Sequence, residues 1–254
     1  MAPDSQFIDI RDKDTPIYRV FSKDRLLEMF QDRKLTLVVP ALWDDPFENF
    51  LAGCKAFLTE SKVWTSLDGV FKNCFGQCWT YQKDSDAMWR IYSGDKKNGG
   101  RVKTTPIKLL NAIYDPRNPF AVMSYFIGQV QYLDEQQIRT YFTDDRFTAT
   151  IVLDPTGRNQ IAPLLIKRAE FEHEREVRLI FQYCKDGFSR TLPDKIWKFD
   201  INPNALFDEV VFDPRISDTD LATCQQELVK LGFTRTIDRS PLYRIPNLRV
   251  KIKA

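Results

Sequence analysis

Apolar positions recur with a period of two in some stretches of this chain and near 3.6 in others, and the two kinds are interleaved. Thr15–Ser22 is β-branched and aromatic and predicts a first strand, after a charged leader, 1–14, expected to be mobile. Ser22 stands where a helix cap belongs, ahead of Leu26, Leu27 and Phe30 at helical spacing. Leu35–Val39 predicts a second strand, stopped by Pro40. Phe50–Leu58 reads as a short helix and Phe75–Tyr81 as a strand. Ser85 caps a helix over Asp86–Tyr92 with Met88, Trp89 and Tyr92 on one broad face and Gly94 at its end. Arg101–Thr105 is a strand, and Pro106 suits the first turn of a helix over Ile107–Tyr114. Ser124–Leu133 alternates as a strand, 143–160 reads as an inserted or irregular segment, and Ile161–Phe171 as a helix.

Glu172–Phe181 (EHEREVRLIF) concentrates the most chemistry. Strand periodicity puts Glu174, Glu176 and Arg178 on one face, and Arg175, Val177, Leu179 and Phe181 on the other. The second face anchors the strand to a core. The first then presents two carboxylates about 6.5–7 Å apart, followed by a guanidinium. Such a pair suits catalysis, and equally a solvated strand edge. Downstream, Trp197–Ile201 and Ala205–Phe212 predict strands. A capping box at Ser217 and Asp220 opens a last helix with Leu221, Cys224, Leu228 and Leu231 inward and Gly232 at its end. Leu242–Lys253 would close the sheet as an edge strand. The expected fold is α+β: one domain over 1–254 with a mixed, largely antiparallel central sheet and flanking helices, without a regular βαβ rhythm.

Composition narrows the function classes. Of 254 residues, 43% are apolar and 13% aromatic, enough for a dense core and unlike a disordered chain. With 37 basic and 35 acidic residues, no global field argues for DNA or a membrane surface. No apolar run approaches a bilayer span and Met1–Ser5 does not read as a secretion signal, so a cytoplasmic location without membrane partners is expected. Five scattered cysteines fit reduced thiols. A single histidine, His173, argues against zinc sites and nucleophilic triads; beside Glu172 and Glu174 it reads as a surface hydrogen-bonder. Glycine-rich dinucleotide and P-loop signatures are both absent.

Arg19 is the second feature of interest. In an extended Ile17–Phe21 it shares a face with two large apolar side chains, and a cation there needs an anion. It either pairs with a carboxylate and locks the fold, or awaits a phosphate or carboxylate ligand. In the Trp43–Glu48 loop, Asp44 and Pro46 read as turn chemistry, while Glu48 could pair with Arg19 or hold a ribose hydroxyl. The Met88–Tyr92 stripe suits core packing, yet Trp89 and Tyr92 could also stack an adenine or nicotinamide ring.

Four motifs then fall in a familiar order between Pro16 and Phe181. They are Tyr18-Arg19-Val20-Phe21-Ser22, Trp43-Asp44-Asp45-Pro46-Phe47-Glu48, Cys78-Trp79-Thr80 with Met88-Trp89-Arg90-Ile91-Tyr92-Ser93, and Glu174-x-Glu176-Val177-Arg178-Leu179-Ile180. Together they resemble the bacterial domain-of-unknown-function family numbered 2971. More remotely, an arginine on the first strand and a Glu-x-Glu on a late one resemble ADP-ribosyltransferases. That resemblance implies NAD as substrate, no metal, and an acceptor that is a protein or a nucleic acid. It casts Glu176 as the catalytic carboxylate and Glu174 as the group that orients or deprotonates the acceptor. Arg19 becomes the anion clamp and Tyr92 or Trp89 the nicotinamide stack, with Tyr18, Ser93 and Glu48 also on the NAD side. A toxin or defence role with a partner protein or antitoxin would follow by analogy. Two other classes stand beside it: a metal-dependent nuclease or phosphodiesterase gathering Mg²⁺ on Asp45, Glu48, Glu174 and Glu176, and a non-enzymatic binding or sensor module.

Overall fold

The computed structural model describes residues 1–43, 55–58, 62–66, 73–94, 96–143, 154–184, 195–247 and 249. Its centre is strand Glu176–Gln182, and every residue of that strand is buried. In chain order the strands are β1 (Phe7–Ile8), β2 (Ile17–Phe21), β3 (Lys34–Val38), β4 (Lys55–Leu58), β5 (Val63–Ser66), β6 (Cys74–Thr80) and β7 (Gly100–Thr104). After them come β8 (Tyr125–Gln129), β9 (Gln131–Leu133), β10 (Ile166–Arg168), β11 (Glu176–Gln182), β12 (Ile196–Asp200), β13 (Glu209–Phe212) and β14 (Thr236–Arg239). The main helices are α1 (Lys23–Asp32), α2 (Asp86–Tyr92), α3 (Pro106–Ile113), α4 (Glu135–Thr143) and α5 (Asp218–Lys230).

The large sheet runs β1-β8-β11-β6-β2-β7-β13-β14, with β3 and β12 branching from β6. Its pairings are antiparallel except β1 with β8 and β13 with β14 at the two ends. The fold is thus α+β with a mixed, largely antiparallel central sheet and flanking helices, as the patterning predicts. The branch at β6 shapes the molecule. Thr80 pairs with Tyr18 of β2, while Gly76 pairs with Val38 of β3. Between those two points β2 and β3 splay apart, and the sheet opens.

One face carries the main core. There Val177, Leu179 and Phe181 of β11 pack with Phe30, Leu109, Leu110, Phe207 and Leu228, supplied in part by α1, α3 and α5. The opposite face of β11 is covered rather than solvated: Ile180 packs with Ile161, Leu164 and Leu165. This is why the acidic strand is not an exposed edge. It pairs with β6 on one side and β8 on the other, and the chain at 158–174 closes over its second face.

Several predicted elements appear close to their expected bounds, among them β2, β3, β6, β7, α2 and α3. Ser217 Oγ accepts the Asp220 N–H at 3.0 Å, as a capping box requires. Ser22 and Ser85 occupy N-caps but make no capping bond with their side chains. The strand expected over Ser124–Leu133 divides at Val130 into β8 and β9: the Val130 N–H still donates to Glu176 O of β11 at 2.9 Å, and β9 beyond it pairs with β10. The helix expected over Ile161–Phe171 does not form. Pro163, lacking an N–H, sits in a 3₁₀ turn over Ala162–Leu165, and β10 then pairs in parallel with β9. In Ala205–Phe212 only β13 is strand, because Asn202 and Pro203 start a helical turn. The edge position expected for Leu242–Lys253 is filled by β14, and Pro241–Tyr243 is a 3₁₀ turn. Residues 55–58, expected to be helical, pair with β5 as a strand. In the leader, Phe7 and Ile8 are buried on the edge strand and the Gln6 amide donates to Val122 O at 3.0 Å. Among the described residues no helix is long and apolar enough to cross a membrane.

Candidate active site

The opening between β2 and β3 is a cleft of about 470 Å³, within the range of small-molecule sites. Arg175, in the left-handed region at φ 45°, turns the chain from a 3₁₀ segment into β11. Glu174 therefore lies before the strand, not on it. Both carboxylates nevertheless line the cleft, because Lys167 of β10 holds them together. Its Nζ lies 2.6 Å from Glu174 Oε2 and 3.4 Å from Glu176 Oε2.

Arg178 completes the cluster from one register step along β11. Its Nε donates to Glu176 Oε1 at 3.2 Å and an Nη to Oε2 at 2.9 Å, while the other Nη donates to Leu164 O at 2.6 Å. The Trp43 ring lies 4.4 Å from the Arg178 guanidinium carbon. Glu174, Glu176, Lys167 and Arg178 are all less than a tenth exposed. Burial pushes the Glu176 carboxyl up, but Arg178 and Lys167 outweigh it, with hydrogen bonds from Arg178 and Cys78, and hold it at about 2. It is a carboxylate at any physiological pH, suited to facing positive charge and unsuited to shuttling a proton. The Tyr132 hydroxyl accepts the Glu176 N–H at 2.7 Å and fixes the start of the strand.

Arg19 enters the same cleft from β2. It finds no carboxylate within ion-pair distance among the described residues, and the residue is half-buried. One Nη donates to the carbonyl of Cys78, in the stretch of β6 that β2 and β3 leave unpaired. Its guanidinium carbon lies 5.0 Å from the Phe21 ring, and its Nε is buried without a hydrogen-bond partner among the described residues. Burial pulls its pKa down, while Cys78, Tyr92 and Glu176 act in the opposite direction.

The other expected site residues divide. Tyr92 and Tyr18 line the cleft with Arg19, Glu174 and Glu176. Burial drives the Tyr92 hydroxyl up, helped by nearby Glu174, although the residue as a whole is 38% exposed. Tyr18 is 4.8 Å from the Arg101 guanidinium, which already covers its ring. Trp89 does not reach the cleft. It is buried against Val20 and Val211, and its indole N–H donates to Asp84 Oδ1 at 2.6 Å, so Tyr92 is left as the aromatic of α2 that can stack. Ser93 is likewise buried elsewhere, its hydroxyl accepting the Gly99 N–H at 2.8 Å. Glu48, with Asp44, Asp45 and Pro46, lies outside the described residues. His173 is exposed, its Nδ1 3.3 Å from Glu170 O, the surface role expected of it.

Lys167, Cys78, Trp43 and Phe171 also line the cleft and were not singled out as site residues from the sequence. A helical reading of 161–171 hid Lys167. Trp43 had a local signal in Gly76: a Cβ there would stand 2.6 Å from the indole, so the strand must be bare for the ring to lie against it. Gly76→Ala should destabilise the fold by about 1–3 kcal/mol through that clash, read from urea unfolding. Among the described residues no group of three or more His, Cys, Asp or Glu side chains is arranged to hold a metal ion. Glu174 and Glu176 are instead bonded to Lys167 and Arg178.

No family model and no curated relative matches the chain, so its likeness to family 2971 rests on the four motifs alone. Among solved structures it is similar to Thermus sp. 2.9 DarT in complex with NAD+, at TM-score 0.41 and 12% identity over 91% of this chain and 98% of that one. DarT from the same source in complex with ADP-ribosylated ssDNA matches at TM-score 0.41 and 11% identity, over 90% and 94% of the two chains. The complex with carba-NAD+ matches at TM-score 0.38 and 12% identity, over 90% and 96%. Likeness of this degree carries no residue-by-residue correspondence.

Proposed function

We propose that the chain is an NAD-dependent ADP-ribosyltransferase, or an NAD glycohydrolase where water replaces the acceptor. The observation that carries this reading is one cleft that holds both a carboxylate, Glu176, paired with Lys167 and Arg178, and the Arg19 guanidinium, which has no carboxylate partner among the described residues. Cleaving the bond between nicotinamide and ribose sends the electron pair to the nicotinamide nitrogen and leaves positive charge on the sugar. A fixed carboxylate favours that charge more in the transition state than in the ground state, which is the requirement for catalysis. The Arg19 guanidinium, which lines the cleft, fits an NAD phosphate, and Tyr92 offers a face to the nicotinamide ring. Glu174 would orient the acceptor, whose proton is lost to solvent as it attacks the sugar.

The finer parts of the proposal concern setting. We assign the acceptor to protein or nucleic acid, the location to the cytoplasm, and the role to a bacterial toxin or defence effector with an antitoxin as partner. A purely structural network has one observation in its favour: both Glu176 oxygens already accept bonds. Incubation with labelled NAD and a panel of protein, DNA, RNA and small-molecule acceptors separates these readings. Nicotinamide release with label on one acceptor class supports a transferase, and release without label a glycohydrolase. Absence of both overturns the proposal.

A further inference from the structure

Two carboxylates brought to one buried spot repel each other, and the usual outcome is that they share a proton. Here both face the same ammonium. We infer that Lys167 is the positioning residue of the cleft: by lying between Glu174 and Glu176 it lets both carry their charge at once. The catalytic consequence rests on the transferase reading, whereas the geometry and its test do not.

The division of labour between the two cations supports this. Arg178 spans both oxygens of Glu176 and fixes the orientation of that side chain. Lys167 makes its shorter contact, 2.6 Å, to Glu174, and is the ion-pair partner of Glu174 among the described residues. Its Nζ also lies 4.8 Å from the Phe171 ring centre, and the residue is only 6% exposed. Lysine is almost never buried this deeply unless paired, so its placement needs the two carboxylates as much as they need it. The other groups facing the pair cannot replace it. Cys78 of β6 and Tyr92 of α2 carry no positive charge. Tyr132 of β9 spends its hydroxyl on the Glu176 backbone, Arg19 of β2 is bonded to the Cys78 carbonyl, and Arg168 of β10 lies against Phe171.

The test is the titration of Glu176, read from ¹³C-labelled glutamate carboxyl signals of the full chain without ligand, and in parallel from the pH profile of nicotinamide release with NAD. In Lys167→Met the acid limb of Glu176 should move up by about 2 pH units, since the pair must now hold a proton between them. Lys167→Arg, which keeps the positive charge, should leave the Glu176 titration close to that of the wild type. Adding Glu174→Gln to Lys167→Met removes the repelling neighbour and should return Glu176 to its acidic value, a rescue that a merely space-filling lysine would not produce. Where Lys167→Met does not fold, Lys167→Gln retains N–H donors, loses the charge and should show the same shift. An unchanged Glu176 titration in the neutral variants, or no return in the double variant, overturns the inference. If the wild-type chain releases no nicotinamide, the proposed function fails, while the carboxyl titration still decides the role of Lys167.

Discussion

Glu176→Gln should reduce nicotinamide release on the order of 10²–10³-fold, the loss expected when a preorganised charge facing the transition state is removed. Glutamine keeps the shape and its single amide oxygen can still accept one bond from Arg178, so the substrate pocket stays similar while the full negative charge is gone. The same change is costly to the fold. It leaves Arg178 and Lys167 under-compensated in a buried site, worth about 3–5 kcal/mol when one partner of such a cluster is removed. Turnover must therefore be compared at a temperature where circular dichroism shows both proteins folded. The pH dependence separates the two effects. Glu176 is depressed from its ordinary 4.5 to about 2, so its contribution to stability is fully present above about pH 4.5 and is lost as pH falls toward 2. That contribution amounts to about 3 kcal/mol. Urea unfolding at pH 6 and pH 3 should show this acid loss in the wild type and a correspondingly smaller one in Glu176→Gln. Retained nicotinamide release in a folded Glu176→Gln protein would remove Glu176 from the mechanism.

How far the site was legible in the sequence depends on which interactions are local. The α2 helix follows from its 3.6-residue stripe, and its bounds agree at Asp86 and Tyr92. The stripe alone does not say which aromatic turns inward. That was settled by Val20 and Val211, which take Trp89 into the core and leave Tyr92 at the cleft. The alternation over β11 correctly put Glu176 and Arg178 on one face, opposite Val177, Leu179 and Phe181. It could not show that this face is covered by Leu164 and Leu165, residues that a helical reading placed in a different geometry. Parallel pairing of β10 with β9 is a non-local event that overrides local preference. Lys167 escaped notice for that reason, although it touches both carboxylates. Arg19 was recognised as a cation in need of an anion, but its contact is a backbone carbonyl exposed by the branch at β6, a feature with no signature in the residue pattern.

Arg19→Met separates function from fold more sharply than any other change, because its two effects should have opposite signs. A structural arginine stabilises through satisfied bonds. Arg19 instead keeps a buried Nε without a partner among the described residues and reaches one carbonyl while its guanidinium is desolvated. Replacing such a group by an apolar side chain of similar length removes the unmet donor and the desolvated charge together. It also removes the bond to the Cys78 carbonyl, a cost that partly offsets this gain, so the net change in stability should be near zero or slightly favourable, seen as an unchanged or slightly higher melting temperature. NAD binding should respond the other way. Loss of a charge-assisted contact to a phosphate costs about 1.5–3 kcal/mol, which weakens affinity by about 10–100-fold in calorimetric titration. Arg178→Met, by contrast, should lower the melting temperature sharply, since it strips Glu176 of its bidentate partner. A protein whose Arg19 only locks the fold would show the reverse for Arg19→Met: lower stability with NAD affinity intact.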